Sequence, residues 1–147
     1  MQRYVSEGYL ANWAARLFFQ AMDRAIRPQG LTPAYVPVLL TISDQGEVTQ
    51  SELATAIAIE QPTMAGTLAR MERDGLVERR THARDRRKSL IRLTAQGREK
   101  IKVVRAAVSA INAQAVDGFS EEERKVYRAL MRRIIDNLGG VSADDQD

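Results

Sequence analysis

Residues 49–93, TQSELATAIAIEQPTMAGTLARMERDGLVERRTHARDRRKSLIRL, constrain the fold more than any other part of the chain. Thr49 and Glu52 stand at the spacing of a capping box, in which the hydroxyl and the carboxylate satisfy each other's backbone amides at a helix start. The short helix that follows turns Leu53, Ala54 and Ile57 inward. Ile59 and Met64 sit at the spacing of a hydrophobic staple around Glu60, so a second helix begins near Gln61. Its inward face is expected to be Met64, Ala65, Leu68 and Met71, with Thr63, Thr67 and Arg70 exposed on the other side. Asp74-Gly75 closes it, because glycine accepts the left-handed conformation common at helix ends. Two short strands come next: LVERRT, and a return strand in which Ser89, Ile91 and Leu93 alternate with Leu90 and Arg92. The loop between them is HARDRRK. Two helices followed by a hairpin with a basic loop make a winged helix-turn-helix, which points first to double-stranded DNA as partner.

Charge supports that partner. The formal net charge is only +3. Between Arg79 and Arg92, however, seven Arg or Lys stand against one Asp, a local +6 that leaves the rest of the chain at −3. Such a run is often just a solvated face. In a hairpin loop beside two helices it reads instead as a phosphate-binding surface. Arg84, Arg86, Arg87 and Lys88 are placed to straddle a minor groove, while Asp85 is expected to orient a neighbouring Arg through an ion pair. His82 is read as an exposed loop residue. On the helix, Thr63 and Thr67 suit thymine methyls or base edges, Arg70 suits guanine, and Gln61 suits adenine or a phosphate. Gly66 leaves room for close backbone approach, and Thr49, Gln50 and Ser51 at the preceding helix start complete the candidate DNA contacts.

The flanks are helical. Leu10, Trp13, Ala14, Leu17, Ala21 and Ala25 mark one face of a helix over about residues 6–27, which Pro28 and Gly30 end. Trp13 and Arg16 there, with Tyr35, are the candidate lining of a pocket for a small anionic aromatic ligand; the alternative is that the aromatic residues pack between helices. Thr32-Pro33 starts an apolar helix in which Pro37 requires either a bend or a start later than Pro33. Beyond the hairpin, Thr94 opens a long helix with Ile101, Val104, Val108, Ile111 and Ala115 in a heptad-like stripe. Ser120 caps a last helix carrying Val126, Tyr127, Leu130, Ile134 and Leu138. So much apolar surface exceeds what a small winged module can cover. A homodimer interface through Val126, Tyr127, Leu130, Ile134 and Leu138 is therefore expected, with intramolecular helix packing as the alternative. The expected fold is mainly α with a small β wing. Residues 31–99 form the winged module, 1–30 and 100–140 a helical dimerisation region, and 141–147 a flexible acidic tail.

Other classes find little support. There is no Gly-rich phosphate loop or nucleophile elbow, and the acids at Glu121, Glu122 and Glu123 read as a helix start, so catalysis is not expected. One His and no Cys leave no metal site, cofactor or thiol switch to propose, and suit a reducing cytoplasm. No apolar run approaches membrane-spanning length, and MQRYVSEGYL lacks the layout of a secretory signal. The closest competing class is a winged module used for protein contacts or for double-stranded RNA.

The run LARMERDGLVERR, the wing ARDRRK and the following LTAQG closely resemble the MarR family of bacterial winged-helix transcriptional regulators, over nearly the whole chain. The resemblance implies an obligate dimer joined by the first and last two helices. It also implies a recognition helix at 61–74, wing contacts from Arg84, Arg86 and Arg87, and a palindromic operator. Such regulators commonly release DNA on binding small aromatic or phenolic anions between the two regions. This chain departs from the pattern at His82, where relatives often carry Asp, and at Pro37.

Overall fold

The computed structural model describes residues 2–140. Helix α1 spans Glu7–Ile26, with the Ser6 hydroxyl accepting from the Tyr9 amide at 3.3 Å. A 3-10 turn through Pro28 ends it, and Gly30 reverses the chain at φ 75°. Thr32 caps a second 3-10 turn, Pro33–Tyr35, and α2 runs Val36–Gln45. The α-helix proper thus starts after Pro33. Pro37 falls in its first turn, where a missing N–H breaks no helical bond.

Helix α3, Gln50–Ile57, opens on the full capping box. The Thr49 hydroxyl accepts from the Glu52 amide at 3.1 Å, and the Glu52 carboxylate accepts from the Thr49 amide at 2.7 Å. The turn after it uses no glycine. Ala58 takes φ 57°, so the Ile59 amide can donate to the Ala54 carbonyl at 3.0 Å. A β-carbon in that conformation costs about 1–2 kcal/mol, which the packing of Ile59 on the core must offset. Helix α4, Gln61–Arg73, begins where the staple spacing put it. It ends with Gly75 at φ 76°, the Gly75 amide donating to the Glu72 carbonyl (3.0 Å) and the Leu76 amide to the Met71 carbonyl (2.9 Å). That paired pattern is a Schellman motif, which satisfies the helix's last carbonyls.

The sequence suggested two strands, and the sheet has three. β1 (Val48–Thr49) pairs antiparallel with β3 (Ser89–Leu93), which pairs antiparallel with β2 (Val77–Thr81). Val48 lies opposite Ile91, and Val77 opposite Leu93. Two residues are too few to show alternation, so β1 left no periodic signal. It matters because it fastens the start of α3 to the base of the hairpin.

Thr94 then donates its hydroxyl to the Gly75 carbonyl at 2.6 Å and accepts from the Gly97 amide at 3.0 Å, starting α5, Ala95–Ala115. Gly97 is fixed by space: a Cβ there would run into the Leu76 carbonyl oxygen. Helix α6, Glu121–Asn137, carries a second capping box between Ser120 and Glu123.

The core runs from Ile26 to Val104, and none of it comes from α6. Burial fades along α5: Ile101 and Val104 are buried, Val108 and Ile111 half-buried, Ala115 exposed. On α1 the apolar stripe is largely open at Leu10, Trp13 and Leu17, while Phe18, Met22 and Ile26 lose exposure. On α6, Val126, Tyr127, Leu130, Ile134 and Leu138 are 36% to 82% exposed. The chain alone therefore leaves an apolar surface uncovered across its first and last helices. Among the described residues no helix is long and apolar enough to cross a membrane. The acidic tail, 141–147, lies outside the described residues.

Candidate nucleic-acid interface

Helix α4 buries Met64, Thr67, Leu68 and Met71. These are positions i, i+3, i+4 and i+7 of one stripe. Thr67 was expected on the exposed face, and the structure corrects this: it is 5% exposed, and its hydroxyl accepts from Arg70 Nη2 at 3.4 Å. The spacing itself held the correction, since Thr67 completes the Met64–Leu68–Met71 stripe better than the half-buried Ala65 does. What α4 presents outward is Gln61, Pro62, Thr63, Gly66, Ala69, Arg70, Glu72 and Arg73. Pro62 and Arg73 were passed over in the sequence. A Cβ built on Gly66 meets nothing within 4 Å, so this face is open for close approach.

A cleft of about 460 Å³ joins α4 to its neighbours. Its walls bring together Thr49, Gln50 and Ser51 from the start of α3, Gln61 from the start of α4, and Arg79, Arg87 and Lys88 from the hairpin. Six of the residues singled out in the sequence therefore line one concave surface. Gln50 Nε2 donates to Gln61 Oε1 at 3.2 Å across the two helix starts. The Thr49 hydroxyl is already committed to its capping box, so Thr49 positions α3 while Gln50 and Ser51 are left to make contacts.

The wing's charge is less free than a count suggests. Arg79 pairs with Glu72 at 2.9 Å, Arg80 with Glu47, Arg87 with Asp85 at 3.1 Å, and Arg92 with Glu78 at 2.7 Å. The hydrogen bond from Arg80 holds the Glu47 carboxyl below its ordinary pKa, and the bonds from Arg87 do the same for Asp85. Arg84, Arg86 and Lys88 are exposed and have no acidic partner among the described residues. Arg87 remains available as well. Its side chain is 91% exposed, and water screens an exposed ion pair strongly, so a phosphate can replace Asp85. The role expected of Asp85, orienting an Arg, is the one it has.

His82 is not the exposed loop residue expected. It is half-buried, its amide donates to the Lys88 carbonyl at 2.9 Å, and its Nδ1 accepts from the amides of Arg84 and Asp85, each at 3.1 Å.

The proposed ligand lining does not assemble. Tyr35 is 2% exposed and its hydroxyl donates to the Asp74 carboxylate at 2.7 Å. Burial, then the bond to Asp74 and its charge, push the tyrosine pKa up. Trp13 lies instead against Tyr4 and Tyr9, ring centroids 6.0 and 6.1 Å away, and Arg16 is exposed. The clefts that do form lie on either side of Phe18. One, about 450 Å³, is lined by Leu17, Phe18, Arg24 and Ile111 among others; the other, about 410 Å³, by Phe18, Met22, Pro33, Pro37 and Val108 among others.

Residues 29–88 match the MarR family. Among solved structures, the chain is similar to one of MarR at 29% identity, covering 94% of each chain, with a TM-score of 0.81. It is similar to a probable transcriptional regulator from Pseudomonas aeruginosa at 27% identity, covering 89% of this chain and 98% of the other, with a TM-score of 0.81. It is also similar, at 27% identity, to Bordetella bronchiseptica BpsR, whose DNA binding is regulated by 6-hydroxynicotinic acid; that likeness covers 90% of this chain and 94% of the other, with a TM-score of 0.82.

Proposed function

We propose that this chain, whose residues 29–88 match the MarR family, is a member of that family and a dimeric, sequence-specific DNA-binding repressor of transcription. The observation that carries the reading is the single concave surface on which the starts of α3 and α4 meet the arginine-rich hairpin. A duplex seated there receives α4 in its major groove and the wing in the adjacent minor groove. Thr63 and Arg70 read bases; Gln50, Ser51, Gln61, Arg87 and Lys88 hold phosphates; Arg84 and Arg86 enter the minor groove.

The uncovered apolar surface on α1, α5 and α6 is assigned to a second copy of the chain. Residues 31–99 then form the DNA-binding module, with 1–30 and 100–140 as the dimerisation region. A two-fold dimer reads a palindrome when its recognition helices lie about 34 Å apart. A small aromatic or phenolic acid that prefers another spacing lowers affinity by shifting the dimer away from that state. We place this effector beside Phe18, with Arg24 facing its carboxylate. That position replaces the Trp13–Arg16–Tyr35 grouping, and the regulation of BpsR by 6-hydroxynicotinic acid supports the chemical class.

The test is fluorescence anisotropy of the purified protein on the DNA upstream of its own coding region, on shuffled DNA and on an RNA duplex of the same sequence, across a salt series. Tighter binding to the upstream DNA with a steep salt slope is expected. Equal affinity for all three duplexes would remove sequence-specific regulation and leave the RNA or protein-contact reading.

A further inference from the structure

We infer that His82 is the positioning residue of the wing: its imidazole, unprotonated at Nδ1, holds the loop that aims Arg84 and Arg86 at the DNA, an inference that rests on the DNA-binding reading above. Two backbone amides, those of Arg84 and Asp85, point at the one nitrogen, each at 3.1 Å. Nδ1 must therefore carry the lone pair, and the imidazole proton sits on Nε2. Nδ1 lies three bonds from Cα, as the Oδ1 of Asn or Asp does, so an imidazole can close its own turn in the manner of those residues. Asp85 repeats the device one step on: its Oδ1 accepts from the Arg87 amide at 3.1 Å, and its carbonyl accepts from the Lys88 amide at 3.0 Å. Together with the His82 amide bond to the Lys88 carbonyl, these contacts close the whole loop. Arg84 and Arg86, the two wing arginines without an acidic partner among the described residues, take their directions from these two turns.

A protonated imidazole presents an N–H where the turn needs an acceptor.

Three substitutions test this. His82→Asn keeps an acceptor at the δ position; His82→Gln keeps a polar group of similar reach but no δ acceptor; His82→Ala removes both. At pH 7.5 the Asn variant is expected to bind the upstream DNA like wild type, and the Gln and Ala variants about tenfold more weakly. In the free protein, amide hydrogen exchange at Arg84 and Asp85 should be slow in wild type and His82→Asn and fast in the other two. Equal exchange in all four proteins overturns the inference. So does lost protection with no change in DNA binding. If wild type prefers no duplex, the regulator reading fails on its own, and with it the aiming role, while the exchange pattern still decides whether His82 closes the loop.

Discussion

Two side-chain hydroxyls carry the sharpest single-residue expectations. Tyr35 donates to Asp74 at the end of α4, so it ties the recognition helix to the turn before α2. Tyr35→Phe is expected to cost about 1 kcal/mol near neutral pH, the usual worth of such a bond. The folded pKa is raised, so this stability is fully present below the unfolded tyrosine value of about 10 and is lost as pH rises through the folded value. Urea midpoints for wild type and Tyr35→Phe should therefore keep their gap up to about pH 10 and converge only above it; a gap that stays constant at higher pH would contradict the role of the hydroxyl. Thr67 is the second. Because it is buried beside Leu68, Thr67→Val should leave discrimination between operator variants nearly unchanged. Arg70→Ala should reduce it by about 1–3 kcal/mol if Arg70 reads a guanine. Uniform loss on every sequence would reassign Arg70 to the phosphates.

At the scale of elements, the hairpin divides its arginines between structure and contact. Arg80 and Arg92 converge on Glu47, which precedes β1, so these pairs brace the base of the sheet. Arg84 and Arg86 at the tip have no acidic partner among the described residues. Arg86→Ala is accordingly expected to lower DNA affinity and to flatten the salt slope by about one, whereas Arg80→Ala should keep the slope and lower only stability. A titration of anisotropy against salt for both variants checks this, and an equal change of slope in the two would refute the division of labour. Helix α4 is placed with similar economy: β1 holds the helix before it, the Schellman motif turns its end into β2, and Thr94 latches the far side to Gly75.

Over the whole molecule, the buried core stops at Val104 and α6 contributes nothing to it. Leu130, 49% exposed in the single chain, is then a reporter of assembly more than of folding. Leu130→Asp should sediment as a monomer while keeping its helical circular dichroism, because burying a lone carboxylate in an apolar contact is costly and the core lies elsewhere. A Leu130→Asp dimer of wild-type stability would sink the proposed interface.

The sequence by itself determined whatever depends on neighbours within a turn or two. The capping box at Thr49, the cap at Ser120, the glycine stop at Gly75, the start of α4 at Gln61 and the basic loop between two strands all follow from residue types at short spacings, and all stand. The tertiary structure decided what depends on partners far along the chain. A two-residue strand exists only because β3 lies beside it. Tyr35 is drawn from a supposed pocket to Asp74, thirty-nine residues away. Four of the seven wing cations meet carboxylates that a charge count cannot place beside them. Local chemistry fixes where an element begins and ends; which face it shows, and to what, is settled only when the elements pack.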